Sequence, residues 1–282
     1  MVDTLLEKSR AGVSPAPSAS VFPSKGRRDA CPTLTAWYPP SAPVFDALAH
    51  DAHIWVAGLD LTGEVPSRLR ETLSRAELQQ VARFHFDKLR DRFVAAHGIL
   101  RVILSRYLRD NTWGKALEFK IGPYGKPALA GSYARCGLQF NLSHSDDLML
   151  LAVTRAGAIG VDIERIRPME DATDLVERFF SPRENSAFRK LPAAQQPDAF
   201  FNLWTRKEAW LKATGEGIGS LLNRVEVSFY PEAEARLLRL PRGHASPAKW
   251  TMRELSPASG YAAAVAIEAP NVTMRSWKWE EF

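Results

Sequence analysis

The chain has 282 residues, of which 45% are hydrophobic and 24% charged, so it can bury the core of one large or two modest globular domains. Two cysteines are too few for a disulfide framework, no apolar run approaches the roughly 18 residues of a membrane span, and the N-terminus lacks a secretory signal pattern, so we expect a cytoplasmic protein without a membrane partner. The net charge of +5 favours anionic partners, and nucleic acid, a phosphorylated cofactor and an acidic protein are all compatible with it.

Proline, serine and alanine dominate residues 1–45, which show no sustained hydrophobic periodicity. This composition predicts a disordered or loosely packed extension. The first strand is predicted over residues 54–59 and is followed by a helix. A second helix, over residues 87–108, has apolar residues at heptad-like spacing. Basic residues that include Arg83 and Arg92 lie nearby, and a solvated helix face is the simplest explanation for most of them.

Three further strands are predicted in the middle of the chain, over residues 117–121, 138–142 and 148–154. A tight turn rich in glycine and proline separates the first two. This turn contains Lys126 and Pro127.

A polar corner is predicted where the strand over residues 138–142 ends, and it contains Asn141, Ser143 and His144. Such side chains often satisfy the backbone of a turn. They could equally present hydrogen-bond donors to an anion, with the histidine charged or neutral as needed. The residues alone leave both interpretations open.

A pair of carboxylates stands out in the strand predicted over residues 158–164. Alternation along a strand places Asp162 and Glu164 on one face and Val161 and Ile163 on the other. Two carboxylates side by side repel each other unless a cation lies between them. The two-residue spacing is common by chance, so the pair needs a third group to indicate a site.

That third group lies on a long helix predicted to begin near Pro197 and to end at Gly215. Trp204, Glu208 and Lys212 follow one another at intervals of four residues and share one face. Glu208 and Lys212 could be a surface ion pair of a few tenths of a kcal/mol. Combined with the two carboxylates of the strand, however, Glu208 would complete a three-carboxylate site suited to Mg²⁺.

The remaining elements flank this helix. A short helix is predicted over residues 172–180, and a helix start follows at residues 181–184, where Glu184 completes a capping box. After Gly215 the pattern predicts an antiparallel meander of strands over residues 224–230, 235–240, 249–255 and 261–268.

Five segments in this order resemble the 4′-phosphopantetheinyl transferases. The two main signatures are residues 160–164, with sequence GVDIE, and residues 204–212, with sequence WTRKEAWLK. The other three segments read GKP at 125–127, FNLSHS at 140–145 and RFFS at 178–181. The monomeric type with two half-domains, which activates surfactin synthetase, matches best.

The resemblance implies an α+β fold made of a pseudo-twofold pair of half-domains, each a small antiparallel sheet with a long helix. The N-terminal half-domain would span residues 46–156 and the C-terminal one residues 157–282. Coenzyme A would bind in the cleft between them.

Site roles follow from the resemblance position by position. Asp162, Glu164 and Glu208 match the ligands of Mg²⁺, which Mn²⁺ could replace, and Asp162, Glu208 and Lys212 match catalytic residues. The general base would be Glu208 or a metal-bound water, with Glu184 as a third candidate. The residues matched to coenzyme A binding are Arg83, Arg92, Lys126, Pro127, Asn141, Ser143, His144, Lys207 and Lys212.

The reaction implied is Mg²⁺-dependent transfer of 4′-phosphopantetheine from coenzyme A to a serine of an apo acyl or peptidyl carrier protein, which releases 3′,5′-ADP. Carrier proteins are acidic, and residues 169–180 and 215–222 are the candidate contacts. We expect a monomer that does not bind nucleic acid. The alternatives are a Mg²⁺-dependent phosphate-ester or pyrophosphate hydrolase and, less favoured, a basic nucleic-acid-binding module.

Overall fold

The computed structural model describes residues 48–169, 172–217 and 221–280. The N-terminal extension predicted over residues 1–45 lies outside these residues, as do parts of both segments predicted to contact a carrier protein. None of the described helices is long and apolar enough to cross a membrane.

The described residues form a mixed α+β fold with small sheets, which confirms the predicted class. The helices are α1 Val65–Arg70, α2 Arg75–Val81, α3 Asp87–Tyr107, α4 Ala172–Phe179, α5 Pro182–Phe188 and α6 Gln196–Thr214. The strands are β1 Asp51–Gly58, β2 Phe119–Ile121, β3 Pro127–Leu129, β4 Gln139–Ser145, β5 Leu148–Thr154, β6 Ile159–Arg165, β7 Glu226–Val227, β8 Leu237–Arg239, β9 Thr251–Leu255, β10 Tyr261–Ile267 and β11 Thr273–Lys278.

The first sheet has the order β11-β1-β5-β4 and packs with α3. Ile99 and Ile103 of α3 share one buried apolar cluster with Trp55 and Leu151 of the sheet. The pairs β1–β5 and β4–β5 are antiparallel, whereas β1 and β11 are parallel. The prediction of a purely antiparallel sheet is therefore wrong at this one pair, because the end of the chain returns to the first sheet.

The second sheet has the order β6-β10-β9, and α6 packs on it. Helix α6 is buried without interruption from Ala199 to Leu211, so it is a core helix with little solvent-facing surface. Gly160 of β6 permits its close approach, since a Cβ atom there would lie 2.1 Å from the Ala209 carbonyl oxygen and 2.3 Å from the Ala213 nitrogen.

Side chains of β4 join the two sheets by binding the edge of β6. The backbone N–H groups of Val161, Ile163 and Arg165 donate, in that order, to Asn141 Oδ1, Ser143 Oγ and Ser145 Oγ at 2.9, 3.4 and 3.0 Å. An edge strand has no neighbouring strand to accept hydrogen bonds from its outer N–H groups. The side chains of β4 accept them instead, so the buried N–H groups of β6 stay satisfied. We call this row of contacts the seam.

The structure departs from the predicted elements in several places. The single helix expected after the first strand is two helices, α1 and α2, and strand β3 was not predicted. Strand β4 continues to Ser145, so the predicted polar corner is part of a strand whose alternate side chains form the seam. The predicted four-stranded meander is two separate hairpins, β7–β8 and β9–β10, because β10 pairs with β6. Strand β11 was not predicted, and its partner β1 lies more than 200 residues away in the chain.

The close crossing of α6 over β6 leads to a stability prediction. Gly160→Ala should lower the free energy of unfolding by about 3 kcal/mol, because the added methyl group meets backbone atoms that cannot rotate away. Gly58→Ala is the matched control, since its Cβ atom would have nothing within 4 Å. Urea unfolding of both variants measures the difference, and equal stability would contradict the close packing.

Candidate active site

Strand β6 and helix α6 bring three buried carboxylates together. Asp162 and Glu164 are 1% and 2% exposed, and Glu208 is fully buried. Burial first and the charge of Asp162 second raise the pKa of both Glu164 and Glu208 above the usual range. The charge of Asp162 therefore disfavours ionisation of both glutamates, and a joint role of the three side chains as metal ligands stays a prediction.

Lys212 neutralises part of this charge through Asp162. Its Nζ atom lies 2.6 Å from Asp162 Oδ1 and donates to Ser143 Oγ at 2.8 Å. The Ser143 hydroxyl in turn donates to Asp162 Oδ1 at 3.0 Å. The sequence also allows Lys212 to pair with Glu208, one helical turn away. In the structure the ammonium binds Ser143 and Asp162 instead.

Three carboxylate oxygens of this cluster lack a hydrogen-bond partner among the described residues. They are Asp162 Oδ2 and both side-chain oxygens of Glu208, and all are buried. Unpaired buried acceptors are costly, so these three oxygens are suited to bind a proton or a positive ligand. Oxygen-only acceptors are the donor set that Mg²⁺ and similar hard cations prefer.

The residues therefore fit a divalent cation by their chemistry. In this conformation, no three His, Cys, Asp or Glu side chains among the described residues are grouped closely enough to hold a metal ion. The cation that contacts Asp162 in this conformation is the Lys212 ammonium. Metal binding would thus require Lys212 to leave Asp162 and the carboxylates to close together.

Ser145 is a site residue that the sequence reading passed over. Its hydroxyl donates to Glu164 Oε2 at 3.1 Å and accepts from the Arg165 N–H at 3.0 Å. Ser143 makes the equivalent contacts with Asp162 and Ile163. The available signal was the register: side chains two residues apart on β4 face carboxylates two residues apart on β6.

Several residues matched to coenzyme A lie around the seam. Asn141 and Ser143 belong to it, and Pro127 opens the neighbouring strand β3. His144 follows Ser143 directly and is exposed. Because successive strand residues point to opposite faces, Ser143 and His144 cannot both face the carboxylates.

Lys126 binds backbone carbonyls in this structure. Its ammonium donates to the carbonyl oxygens of Ile159 and Ala213, both at 2.9 Å, and burial lowers the pKa of Lys126 to about 8. Ala213 belongs to the last turn of α6, where a cation is favourable. Lys126 therefore connects the β2–β3 hairpin to the end of the helix that bears Lys212.

The two arginines matched to coenzyme A differ in their environment. Arg83 is exposed and lines a pocket of about 440 Å³ together with Gln80 and Phe84. Arg92 forms ion pairs with Asp60 at 2.6 Å and Asp146 at 2.7 Å, which raise its pKa. Of the two, Arg83 is the one without an acidic partner among the described residues.

Lys207 is buried in the protein interior, which corrects its assignment to coenzyme A binding. Its ammonium donates to Glu184 Oε2, the Leu222 carbonyl and the Val225 carbonyl, each at 2.6 Å, so all three of its hydrogens are used. Glu184 also completes the capping box of α5 and accepts from the Val227 N–H. The capping role considered for Glu184 is confirmed, and its carboxylate is engaged too fully to act as a base.

Comparison with known proteins gives one consistent result. Residues 158–266 match the family model of the 4′-phosphopantetheinyl transferase superfamily, and this range includes all three carboxylates and Lys212. The chain is 39% identical over 240 residues to 4′-phosphopantetheinyl transferase HetI of Nostoc sp., covering 85% of this chain and 97% of that protein. It is 28% identical over 223 residues to 4′-phosphopantetheinyl transferase Sfp of Bacillus subtilis, covering 77% and 94%.

The raised pKa of Glu208 leads to a pH-dependent prediction. The folded protein keeps a proton on Glu208 at pH values where the unfolded chain, with a pKa of about 4.3, has lost it. The contribution of protonated Glu208 to the free energy of unfolding is complete below about pH 4 and is lost as the pH rises through the raised pKa. Glu208→Gln should therefore stabilise the ligand-free protein by about 1–3 kcal/mol at pH 8 and much less at pH 5.

Thermal and urea unfolding at the two pH values test this, with Glu71→Gln as control because Glu71 lies on the surface. Mg²⁺ added at pH 8 should stabilise the unsubstituted protein and not Glu208→Gln, since only the unsubstituted protein has the Glu208 carboxylate as a ligand. A uniform loss of stability in Glu208→Gln at both pH values would contradict the assignment.

The contact of Ser145 with Glu164 predicts a role in orienting that carboxylate. Ser145→Ala should weaken Mn²⁺ binding about 10-fold, the usual effect of losing a hydrogen bond to a metal ligand, and Ser145→Thr should retain affinity because it keeps the hydroxyl. Isothermal titration with Mn²⁺ measures both. Equal affinity in the alanine and threonine variants would show that the hydroxyl has no such role.

Proposed function

The chain belongs to the 4′-phosphopantetheinyl transferase family, and we propose that it transfers 4′-phosphopantetheine from coenzyme A to a carrier-protein serine through Asp162, Glu164, Glu208 and Lys212. The observation that carries this proposal is the set of unpartnered buried oxygens of Asp162 and Glu208 beside the Lys212 ammonium. Buried carboxylate oxygens that can bind a cation, next to an ammonium that can bind a phosphate oxygen, suit a metal-assisted reaction of a pyrophosphate.

Asp162, Glu164 and Glu208 would hold Mg²⁺ or Mn²⁺, which when bound neutralises charge on the pyrophosphate oxygens. Lys212 would exchange Asp162 for a phosphate oxygen and support the leaving group with a charge-assisted hydrogen bond. The ammonium also donates to Ser143 Oγ at 2.8 Å, a neutral contact that it would not need to break to do this.

In the chemical step the carrier serine Oγ attacks the pantetheine-bearing phosphorus, and the bond from that phosphorus to the bridging oxygen breaks. The products are the phosphopantetheinyl serine and 3′,5′-ADP. The Glu208 carboxylate would accept the serine proton, directly or through a water that it orients. Glu184, the third candidate, is committed to Lys207 and to the cap of α5.

The adenosine end of coenzyme A would lie toward the pocket that Arg83 lines, since that arginine has no acidic partner among the described residues. Each sheet with its long helix would correspond to one half-domain, over residues 46–156 and 157–282, in a pseudo-twofold monomer. The cleft would then lie along the seam. Strand β11 would be an element that the second half-domain contributes to the first sheet.

The prediction for transfer concerns the metal ligands. Asp162→Asn should reduce the rate of transfer to an apo carrier protein about 1000-fold, because a metal contact worth several kcal/mol is lost. The measurement is the mass gain of the carrier protein, with Glu71→Gln as the control that keeps activity. Near-normal transfer by Asp162→Asn would overturn the metal assignment.

The same assay separates transfer from hydrolysis. Coenzyme A and Mg²⁺ are incubated with and without the apo carrier protein, and release of 3′,5′-ADP is followed. We expect release that depends on the carrier and matches its mass gain. Release at the same rate without carrier would favour the hydrolase.

A further inference from the structure

A second basic concavity lies away from the pocket that Arg83 lines, on the surface formed by the start of α5 and the β7–β8 hairpin. This groove has a volume of about 410 Å³. Its walls include Pro182, Arg224, Glu226, Arg239, Leu240 and Arg242. Neither the sequence motifs nor the proposed chemistry uses it.

The groove has an excess of positive charge. Arg224 and Arg242 are exposed, and neither forms an ion pair with another described residue. The third arginine, Arg239, lies 3.4 Å from Glu226, which offsets one of the three charges. Two guanidinium groups are thus free at one concave surface, so its natural occupant is an anion.

The chemistry of the walls favours a protein over a small phosphate ligand. A phosphate site brings buried donors together on one point, whereas Arg224 and Arg242 stay exposed at the rim. Proline and leucine side chains form the apolar part of the wall. Exposed arginines around apolar contacts are typical of protein interfaces.

The groove is tied to the catalytic helix through Lys207. Its ammonium binds the carbonyls of Leu222 and Val225, which flank Arg224, and the carboxylate of Glu184. Glu184 accepts hydrogen bonds from the N–H groups of Ser181 and Val227, on the two sides of the groove. The walls of the groove are therefore anchored to α6 at Lys207, the residue that precedes Glu208 in the helix.

We propose that this groove is the docking site for an acidic segment of the carrier protein, which it positions so that the acceptor serine reaches Glu208. This proposal rests on the proposed function and adds to it the surface that recognises the protein substrate. Arg224 and Arg242 attract and orient the segment, and Lys207 with Glu184 fixes the distance from the groove to the reacting atoms.

Charge reversal tests the docking site. Arg224→Glu and Arg242→Glu should each raise the KM for an apo carrier protein about 5-fold, and the double variant about 20-fold or more, because an attractive contact becomes repulsive. The KM for coenzyme A and the kcat at saturating carrier should not change. The effect should shrink between about 50 mM and about 300 mM salt, as screening weakens exposed charges.

Arg135→Glu is the matched control, since it makes the same change in net charge at an exposed position before β4. A carrier protein whose acidic residues are replaced by lysine should lose affinity for the unsubstituted protein and regain it with the double variant. That reciprocal recovery would establish contact between the two surfaces.

Two results would overturn the docking proposal alone. In one, the double variant and Arg135→Glu have the same KM for the carrier protein. In the other, the KM for coenzyme A rises and that for the carrier does not, which would make the groove a phosphate site. If the unsubstituted protein modified no carrier protein at all, the proposed function would fail and the docking proposal with it.

Discussion

The burial of three carboxylates between β6 and α6 is the constraint on which the rest of the structure depends. Burying charge without a partner is unfavourable. Among the described residues, the Lys212 ammonium pairs with Asp162, and the hydroxyls of Ser143 and Ser145 donate to Asp162 and Glu164. Packing elsewhere in the fold must therefore offset the free energy lost when these carboxylates leave water. It does so with a core helix whose neighbours are almost entirely apolar or internally paired, as at Lys207 and Glu184.

The seam shows how two sheets can meet at such a site and still keep it adjustable. A continuous backbone ladder between β4 and β6 would make the junction rigid. Side-chain hydroxyls and an amide hold β6 instead, and the same serines that bind its N–H groups also bind its carboxylates. One small side chain thus couples the position of the strand to the orientation of a charge. A shift of Lys212 away from Ser143 would therefore affect both the position of β6 and the orientation of Asp162.

The sequence alone predicted the features that rest on local periodicity. Alternation in β6 and the four-residue spacing in α6 placed Asp162, Glu164, Glu208 and Lys212 correctly relative to their own elements, because each pattern is set by backbone geometry over a few residues. Capping chemistry likewise identified the role of Glu184. The resemblance then supplied the family, which the comparisons confirmed.

Features that depend on distant parts of the chain were not predictable in the same way. Strand β11 has half-exposed, mixed residues and pairs in parallel with the start of the described chain, so no short window reveals it. Lys207 lies between Arg206 and Glu208 in a run of three charged residues, yet only the tertiary structure shows that three acceptors surround it in the interior. The contact of Ser145 with Glu164 could not be predicted without knowing that β6 lies opposite β4.

If the proposed function holds, Lys207 and Glu208 would let one helix serve two substrates. Adjacent residues on a helix point about 100° apart, so α6 would turn Glu208 toward the reacting atoms while Lys207 binds the Leu222 and Val225 carbonyls beside the groove. Both directions are fixed by the same buried backbone, which cannot rotate without breaking the contact at Gly160. A carrier protein bound in the groove and a pyrophosphate bound at Lys212 would then be registered against a single rigid element.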